Sequence, residues 1–296
     1  MSRRVLVVGQ GSIGKRHARI LQELGCSVAV VTGRTDLTEY PIYKSVRSAV
    51  AVFNPEYCVI ASITSLHHKH LEELQKAGFT NTALVEKPIF DHLPVVETNY
   101  VFDIFVGYNL RFHPLTFRLK QELEGRHVYA AHVLTGQHLS TWRSERDHLR
   151  TYSAHSKQGG GVIRDLSHEY DLAAHLFGEL ALLSGVGRRV SSVTIDSEDV
   201  AAAIFSGQSC PIISVSTNYL DRTDRRCWVV ITEDATFEAD YVSGTFSTNG
   251  NIENLVVERD QSYRDMHRAA IGDKAGLCRL ADGTALLALL EQFRLT

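Results

Sequence analysis

Residues 5–31 leave this chain few folds to choose from. Val5-Leu6-Val7-Val8 is an unbroken apolar run of largely β-branched residues, the mark of a strand buried on both faces of a parallel sheet. It runs into Gly9-Gln10-Gly11-Ser12-Ile13-Gly14, then a helix-like segment from Lys15 to Leu24. Gly25 ends that segment, and Val28-Ala29-Val30-Val31 reads as a second strand. A lone GxGxxG says little. Between a strand and a helix, in a βαβ unit of about 30 residues, it sits in the setting that gives it meaning. The first glycine makes the tight turn, the second lets backbone approach a pyrophosphate, and the third lets helix pack on strand. Ser12 and Ile13 open a helix whose N-terminus faces the phosphates. Gly9, Gly11, Ser12, Ile13 and Gly14 are therefore the expected contacts to a dinucleotide.

The second strand ends Val31-Thr32-Gly33-Arg34-Thr35-Asp36. An acidic residue at this point would hydrogen-bond a ribose 2′-hydroxyl and select NAD. It is missing, and Thr32 with Arg34 suits a 2′-phosphate, so the lean is to NADP; Asp36 lies near enough to keep NAD in play. Ser45 to Phe53 reads as a helix and Tyr57-Cys58-Val59-Ile60-Ala61 as the next buried strand. Ser62 and His67 then enter a helix and are expected on the cofactor side. His67 and His70 share a helix face, yet no Cys or carboxylate completes a metal site, and none is expected. Ala83-Leu84-Val85 is another short strand, ending in Glu86-Lys87-Pro88. A lysine at the end of a parallel strand points into the ligand crevice of an open α/β sheet, and proline fixes the backbone beside it, in a cis bond if the turn demands one.

At 296 residues, two domains are the natural division. Net charge of −3 and the lack of a basic run argue against nucleic acid as partner. No apolar stretch approaches the roughly 20 residues of a membrane span, and the N-terminus lacks the apolar core of a signal peptide. Cys26, Cys58, Cys210, Cys227 and Cys278 form no CxxC pair, which suits reduced thiols in a cytoplasmic protein.

The middle of the chain holds Gly159-Gly160-Gly161-Val162-Ile163-Arg164-Asp165-Leu166-Ser167-His168-Glu169-Tyr170-Asp171. Three glycines let another group come close, and a helix-like run to about Phe177 follows. Residues three apart are neighbours on a helix, so Asp165 can meet His168, and His168 can meet Asp171. A carboxylate beside an imidazole holds its tautomer and readies it as a base. Pro114 to Leu123 reads as a helix with proline at its start, and Val128 to Gln137 alternates as a strand. Thr141 to Lys157 is a polar connection in which Arg150, Tyr152 and Lys157 are placed to meet a polar substrate. Strands then follow at Val186–Val193, Val200–Phe205, Ile212–Asn218, Cys227–Thr232 and Thr236–Tyr241, an antiparallel meander. Its outer face needs cover, so a homo-oligomer is expected. Ala281 to Phe293 reads as a closing amphipathic helix.

Four segments in order, Gly9 to Gly14, Glu86-Lys87-Pro88, Gly107-Tyr108-Asn109-Leu110-Arg111-Phe112-His113-Pro114 and Gly159 to Asp171, give the chain a resemblance to the Gfo/Idh/MocA family of NAD(P)-dependent oxidoreductases. That family includes glucose-fructose oxidoreductase and inositol dehydrogenase. The resemblance implies an N-terminal Rossmann domain plus a C-terminal α/β domain with a large, open, mostly antiparallel sheet. We draw the boundary at 1–107 and 108–296, with the last helix free to pack back on the first domain. It also implies Lys87 between nicotinamide and substrate, with Glu86 beside the cofactor and Asp165 and His168 nearby.

Two departures stand out. Only Ile89 to Val106, with Pro94 among them, separate Lys-Pro from Gly-Tyr-Asn, so the helix usual there is shortened or replaced by a loop. Asp165 and His168 are separated by two residues where many members have three, which leaves the role of Asp165 open. The expected chemistry is hydride transfer at a hydroxyl or ketone carbon of a sugar, cyclitol or sugar derivative. His168 takes the hydroxyl proton, Lys87 stabilises the oxygen, and Asp165 orients or tunes one of them. Tyr108, Arg111, Tyr152 and Lys157 are further substrate contacts. The alternatives are a nucleotide-sensing regulator of the same fold, as in a galactose-regulon repressor, and an enzyme that keeps NAD(P) bound for transient sugar oxidation.

Overall fold

The computed structural model describes residues 2–34, 39–93, 99–139 and 160–295. Asp36, Pro94, Arg150, Tyr152, Lys157 and Gly159 lie outside them. Two compact units emerge, Met1–Phe112 with Arg259–Leu287, and His113–Glu258 with Ala288–Thr296. The sequence alone puts 108–296 in the second domain, with only the last helix free to pack back on the first. The difference arises because a helix at 261–271 returns to bury Met266 and Ala270 in the core of the first unit.

The first unit contains β1 (Arg4–Val8), α1 (Ser12–Glu23), β2 (Ser27–Val31), β3 (Ile42–Tyr43), α2 (Val46–Phe53), β4 (Tyr57–Ile60), α3 (His67–Lys76), β5 (Thr82–Val85) and β6 (Asp103–Val106). The returning segment adds α7 (Gln261–Ile271) and β15 (Cys278–Arg279). The strands form one sheet in the order β15-β6-β5-β4-β1-β2-β3, parallel except where β15 meets β6. Apart from β15 this is the doubly wound dinucleotide-binding order, and the strand order reverses beside β1, where ligands bind at the carboxyl ends. Val5, Val7, Val30, Val59 and Leu84 pack with Leu21 of α1 and Met266 of α7. Each such side chain contributes about 1.5–3 kcal/mol on burial. Ser45 caps α2 by accepting from the Ser48 amide. No helix occupies the described residues between Pro88 and β6.

The second unit holds α4 (Pro114–Leu123), β7 (Val128–Gly136), α5 (Val162–Asp165), α6 (Ser167–Phe177), β8 (Leu180–Arg188), β9 (Val200–Gly207), β10 (Ile213–Asn218), β11 (Arg225–Thr232), β12 (Thr236–Asp240), β13 (Thr245–Thr248), β14 (Asn251–Asn254) and β16 (Arg294–Leu295). One nine-stranded sheet runs β14-β13-β12-β11-β7-β10-β9-β8-β16. It is antiparallel except at β7–β10 and β8–β16. β8 lies earlier than Val186–Val193 because the Asp199 carboxylate gathers the amides of Val190 and Ser191 into a turn just past Arg188. The helix α8 (Leu280–Leu290) carries the chain from the first unit into the second. Its buried Gly283, Leu286, Leu287, Leu289 and Leu290 lie on one side of the helix, with Ala281 and Ala285 exposed on the other, the one-sided pattern of an amphipathic helix.

Candidate functional site

Gly9 follows β1 at φ +104, and a Cβ there would run into the backbone of Ala61 and Ser62. A Cβ on Gly14 would strike the Gly9 carbonyl, whereas one on Gly11 would meet nothing within 4 Å. Two glycines thus close the turn on the protein itself, and the middle one leaves backbone open to a ligand. Gln10 is 4% exposed, and its Nε2 has no hydrogen-bond partner among the described residues. Such a buried donor costs about 1–3 kcal/mol until something accepts from it. The loop therefore fits a group rich in acceptor oxygens, as a dinucleotide is.

Thr32 is half-buried and Arg34 exposed just past β2. The Arg34 amide donates to Thr32 Oγ1 at 3.1 Å, which leaves the threonine hydroxyl proton to donate elsewhere. Ser62 Oγ pairs with His70 Nδ1 at 3.0 Å. His67, expected on the cofactor side, is 1% exposed and faces backbone: Nδ1 lies 3.2 Å from the Pro88 carbonyl and 3.1 Å from that of Ile89, and Nε2 lies 3.2 Å from that of Ser62. Burial holds its pKa below the usual value, so the ring is neutral and donates at one nitrogen only. It braces the strand ends on either side of α3. Among the described residues no three His, Cys, Asp or Glu side chains gather as metal ligands would.

Lys87 follows Glu86 off the end of β5, half-buried, with a cis bond to Pro88. The Glu86 carboxylate turns inward: its Oε1 lies 2.9 Å from His17 Nε2, and it packs where a Cβ on Gly107 would sit. His17 Nδ1 is 2.8 Å from His267 Nε2, and His267 Nδ1 is 3.0 Å from the Tyr57 hydroxyl. The sequence reading missed His17, His267 and Tyr57. The signal was present in His17, a lone imidazole among the buried Ala18, Ile20 and Leu21 of α1. Tyr108 and Arg111, expected with the second domain, fall in the first unit and are 3% and 7% exposed.

In the second unit the group admitted by the glycines is Glu198. Gly161 has φ +114, and a Cβ there would overlap the Glu198 carboxylate. Glu198 Oε1 accepts from the Ile163 amide at 3.1 Å, and its carbonyl accepts from the Val162 amide. Burial raises the Glu198 pKa against the pull of its own amide, the Ile163 amide and Arg164. The helix breaks at Leu166 (φ −96, ψ 25), so Asp165 closes α5 and His168 belongs to the first turn of α6. The expected unbroken three-residue spacing does not apply. Asp165 is 3% exposed, and its Oδ2 accepts from the Tyr219 hydroxyl at 2.8 Å. His168 is half-buried. Glu169 is wholly buried, held by Arg226 Nε at 2.9 Å and the Trp228 indole N–H at 3.0 Å. Tyr219, Glu198, Arg226 and Trp228 come from later strands and loops, which is why local spacing could not find them. Tyr152 and Lys157 lie outside the described residues, so their expected substrate contacts are untested.

No family model and no curated protein sequence matches the chain. Solved structures do. GenD2 from gentamicin A biosynthesis, in complex with NAD, superposes at TM-score 0.80 with 20% identity over 99% of this chain and 93% of that one. The UDP-N-acetylglucosamine 3-dehydrogenase GnnA from Acidithiobacillus ferrooxidans gives 0.78 and 18% over 99% and 97%. The WlbA dehydrogenase from Bordetella pertussis, in complex with NADH and UDP-GlcNAcA, gives 0.76 and 18% over 99% and 95%. At such identities the likeness is one of fold, carried through nearly the whole length.

Proposed function

We propose that this chain is an NAD(P)-dependent oxidoreductase of the Gfo/Idh/MocA type, acting on a hydroxyl or ketone carbon of a sugar or sugar derivative. The observation that carries this reading is the loop after β1, open at Gly11, closed at Gly9 and Gly14, and set in a doubly wound sheet whose β5 ends in Lys87. The UDP-N-acetylglucosamine in GnnA's name and the UDP-GlcNAcA bound to WlbA support the substrate class. In this reading the first unit is the dinucleotide-binding domain and the second the substrate domain.

A bound nicotinamide supplies a hydride acceptor or donor. The chain's own residues do the rest. His168 takes the proton from the substrate hydroxyl, and Lys87 donates a hydrogen bond to the same oxygen as negative charge develops. Asp165, held by Tyr219, is a positioning residue. Thr32 can still donate to a 2′ oxygen and Arg34 can pair with a 2′-phosphate, the basis of the NADP lean. Two neighbours hold NAD or NADH, which lends that lean no support.

The test titrates the parent, Lys87→Ala and His168→Ala with NADH and NADPH, then screens sugars, sugar phosphates and nucleotide sugars for reduced cofactor. Both variants should bind cofactor within about two-fold of the parent and lose turnover by 10²-fold or more, as loss of a general base or an oxyanion donor does. Full turnover in His168→Ala would remove the mechanism. A parent that binds neither nucleotide would remove the reading altogether, and nucleotide binding without turnover across the screen would favour the regulator. Cofactor that survives desalting would point to transient oxidation.

A further inference from the structure

Tyr57, His267, His17 and Glu86 form one buried line that the proposed reaction does not use directly. The three gaps are 3.0, 2.8 and 2.9 Å, and the four residues are 1%, 0%, 0% and 8% exposed. They come from β4, α7, α1 and the end of β5. Around them, Tyr263 packs edge-on against His17 with Arg16 over its ring, and Cys58 and Cys26 lie near Tyr57.

Each gap holds one proton, and a neutral imidazole donates at one nitrogen while accepting at the other. In one direction Tyr57 donates to His267 Nδ1, His267 Nε2–H donates to His17 Nδ1, and His17 Nε2–H donates to the carboxylate. The opposite direction needs a protonated Glu86 and a second acceptor for the Tyr57 hydroxyl. Only the first direction gives every proton an acceptor within the line without adding one to the carboxylate, so the first direction holds. Burial raises the Tyr57 phenol well above its usual value. Burial, then the neighbouring His17, pushes His267 well down. The phenol stays a donor and the second imidazole stays neutral.

We propose that this line locks His17 as its Nε2–H tautomer and so holds the Glu86 carboxylate as a fixed acceptor at the residue before Lys87, making His17 and His267 positioning residues for that lysine. Without His267, His17 is free to take the other tautomer, whose bare Nε2 would face the carboxylate lone pairs. Glu86 must then turn away or bind a proton, and Lys87 loses a fixed anion at the preceding residue. The proposal rests on Lys87 being the donor to the reacting oxygen, but its test does not need a substrate.

Ring ¹⁵N spectra of the parent should show Nε2–H at both His17 and His267. Acetylation of Lys87, followed by peptide mass spectrometry against exposed Lys44 as internal reference, should run roughly three-fold faster or more in Glu86→Gln and His267→Leu, because loss of a nearby anion leaves more free amine. His267→Gln, whose amide N–H can reach the place of Nε2–H, should restore the parent rate. An Nδ1–H tautomer at His17, a Glu86→Gln rate equal to the parent's, or His267→Gln as fast as His267→Leu would each overturn the proposal. If His267→Leu does not fold, the parent spectrum and Glu86→Gln still decide. NADH titration of the parent runs beside these. Failure to bind overturns the dehydrogenase reading, while the spectra and rates judge the buried line separately.

Discussion

Asp165 is the residue whose surroundings say most about its task. It closes a four-residue helix before the break at Leu166, and its carboxylate is tied to Tyr219, three strands further along the chain and just past β10. Tyr219 is fully buried and Asp165 nearly so. A hydrogen bond to a buried charged group contributes about 1.5–3 kcal/mol. Tyr219→Phe should therefore lower unfolding free energy by about that much, seen as a lower urea midpoint at unchanged slope. In the proposed enzyme it should also cut kcat while leaving NADH affinity within about two-fold. A variant within about 0.5 kcal/mol of the parent would show that Tyr219 does not hold this carboxylate, and that its spacing to His168 has to be explained some other way.

At the scale of elements, α4 carries a device that pH can release. His113 precedes Pro114, and its Nδ1 accepts from the Leu115 amide at 3.2 Å, capping the helix. That cap exists only while Nδ1 is bare. Burial, aided by the charge of Arg226, lowers the His113 pKa to about 4. The unfolded chain binds this proton below about pH 6.5, so from there down to about 4 the unfolded state takes up the extra proton and stability falls with pH. One such imidazole steepens the loss by up to about 1.4 kcal/mol per pH unit. Buried His67 and His267 are shifted the same way and add to it. His113→Asn keeps a capping side chain without a titrating one. Urea midpoints from about pH 7 down to about pH 5 should fall less steeply in it than in the parent, and an equal slope would rule out the cap as a pH-sensitive part.

The elements themselves were largely legible in the chain. The Pro114 helix, the runs of β1, β2, β4 and β5, and the alternation of β7 and β9 to β12 stand where composition and period put them. What hid was the segment after Tyr241, where β13 and β14 are short and polar, and α7, whose buried Ser262, Met266, His267 and Ala270 mix polar with apolar types. The glycine loop after β1 was readable because its glycines act locally. The tyrosine and histidine partners of Asp165 and Glu86 were not, because residues 54 and 69 positions away supply them.

For the whole molecule the open question is what lies on the outer face of the nine-stranded sheet. The register sets Ile204, Ser214, His132 and Val229 in one row across four strands, and Ala202, Ser216, Leu134 and Cys227 in the next. Both rows lie on the face opposite Ala203, Val215, Val133 and Trp228, which are buried. Ile204 is 43% exposed and Leu134 39%, among small and weakly polar neighbours that carry few charges. A broad sheet face of this composition is only half-covered by the described residues, and an antiparallel sheet that faces water on one side commonly keeps that side polar. A second copy of the chain, presenting the same rows about a two-fold axis, would cover it without needing any special partner. The expected state in solution is a homodimer, or a tetramer built from such dimers. Light scattering on the parent at micromolar concentration should report at least twice the chain mass. Ile204→Glu with Leu134→Glu, placed in adjacent rows, should return it to the mass of one chain by setting like charges against each other across the axis. NADH binding, which the proposed function assigns to the first unit, should stay within about two-fold in the same sample, so that dissociation is not mistaken for unfolding. A parent that runs as a single chain would leave this face to water or to a different partner. A double variant that keeps the parent mass would move the interface elsewhere on the molecule.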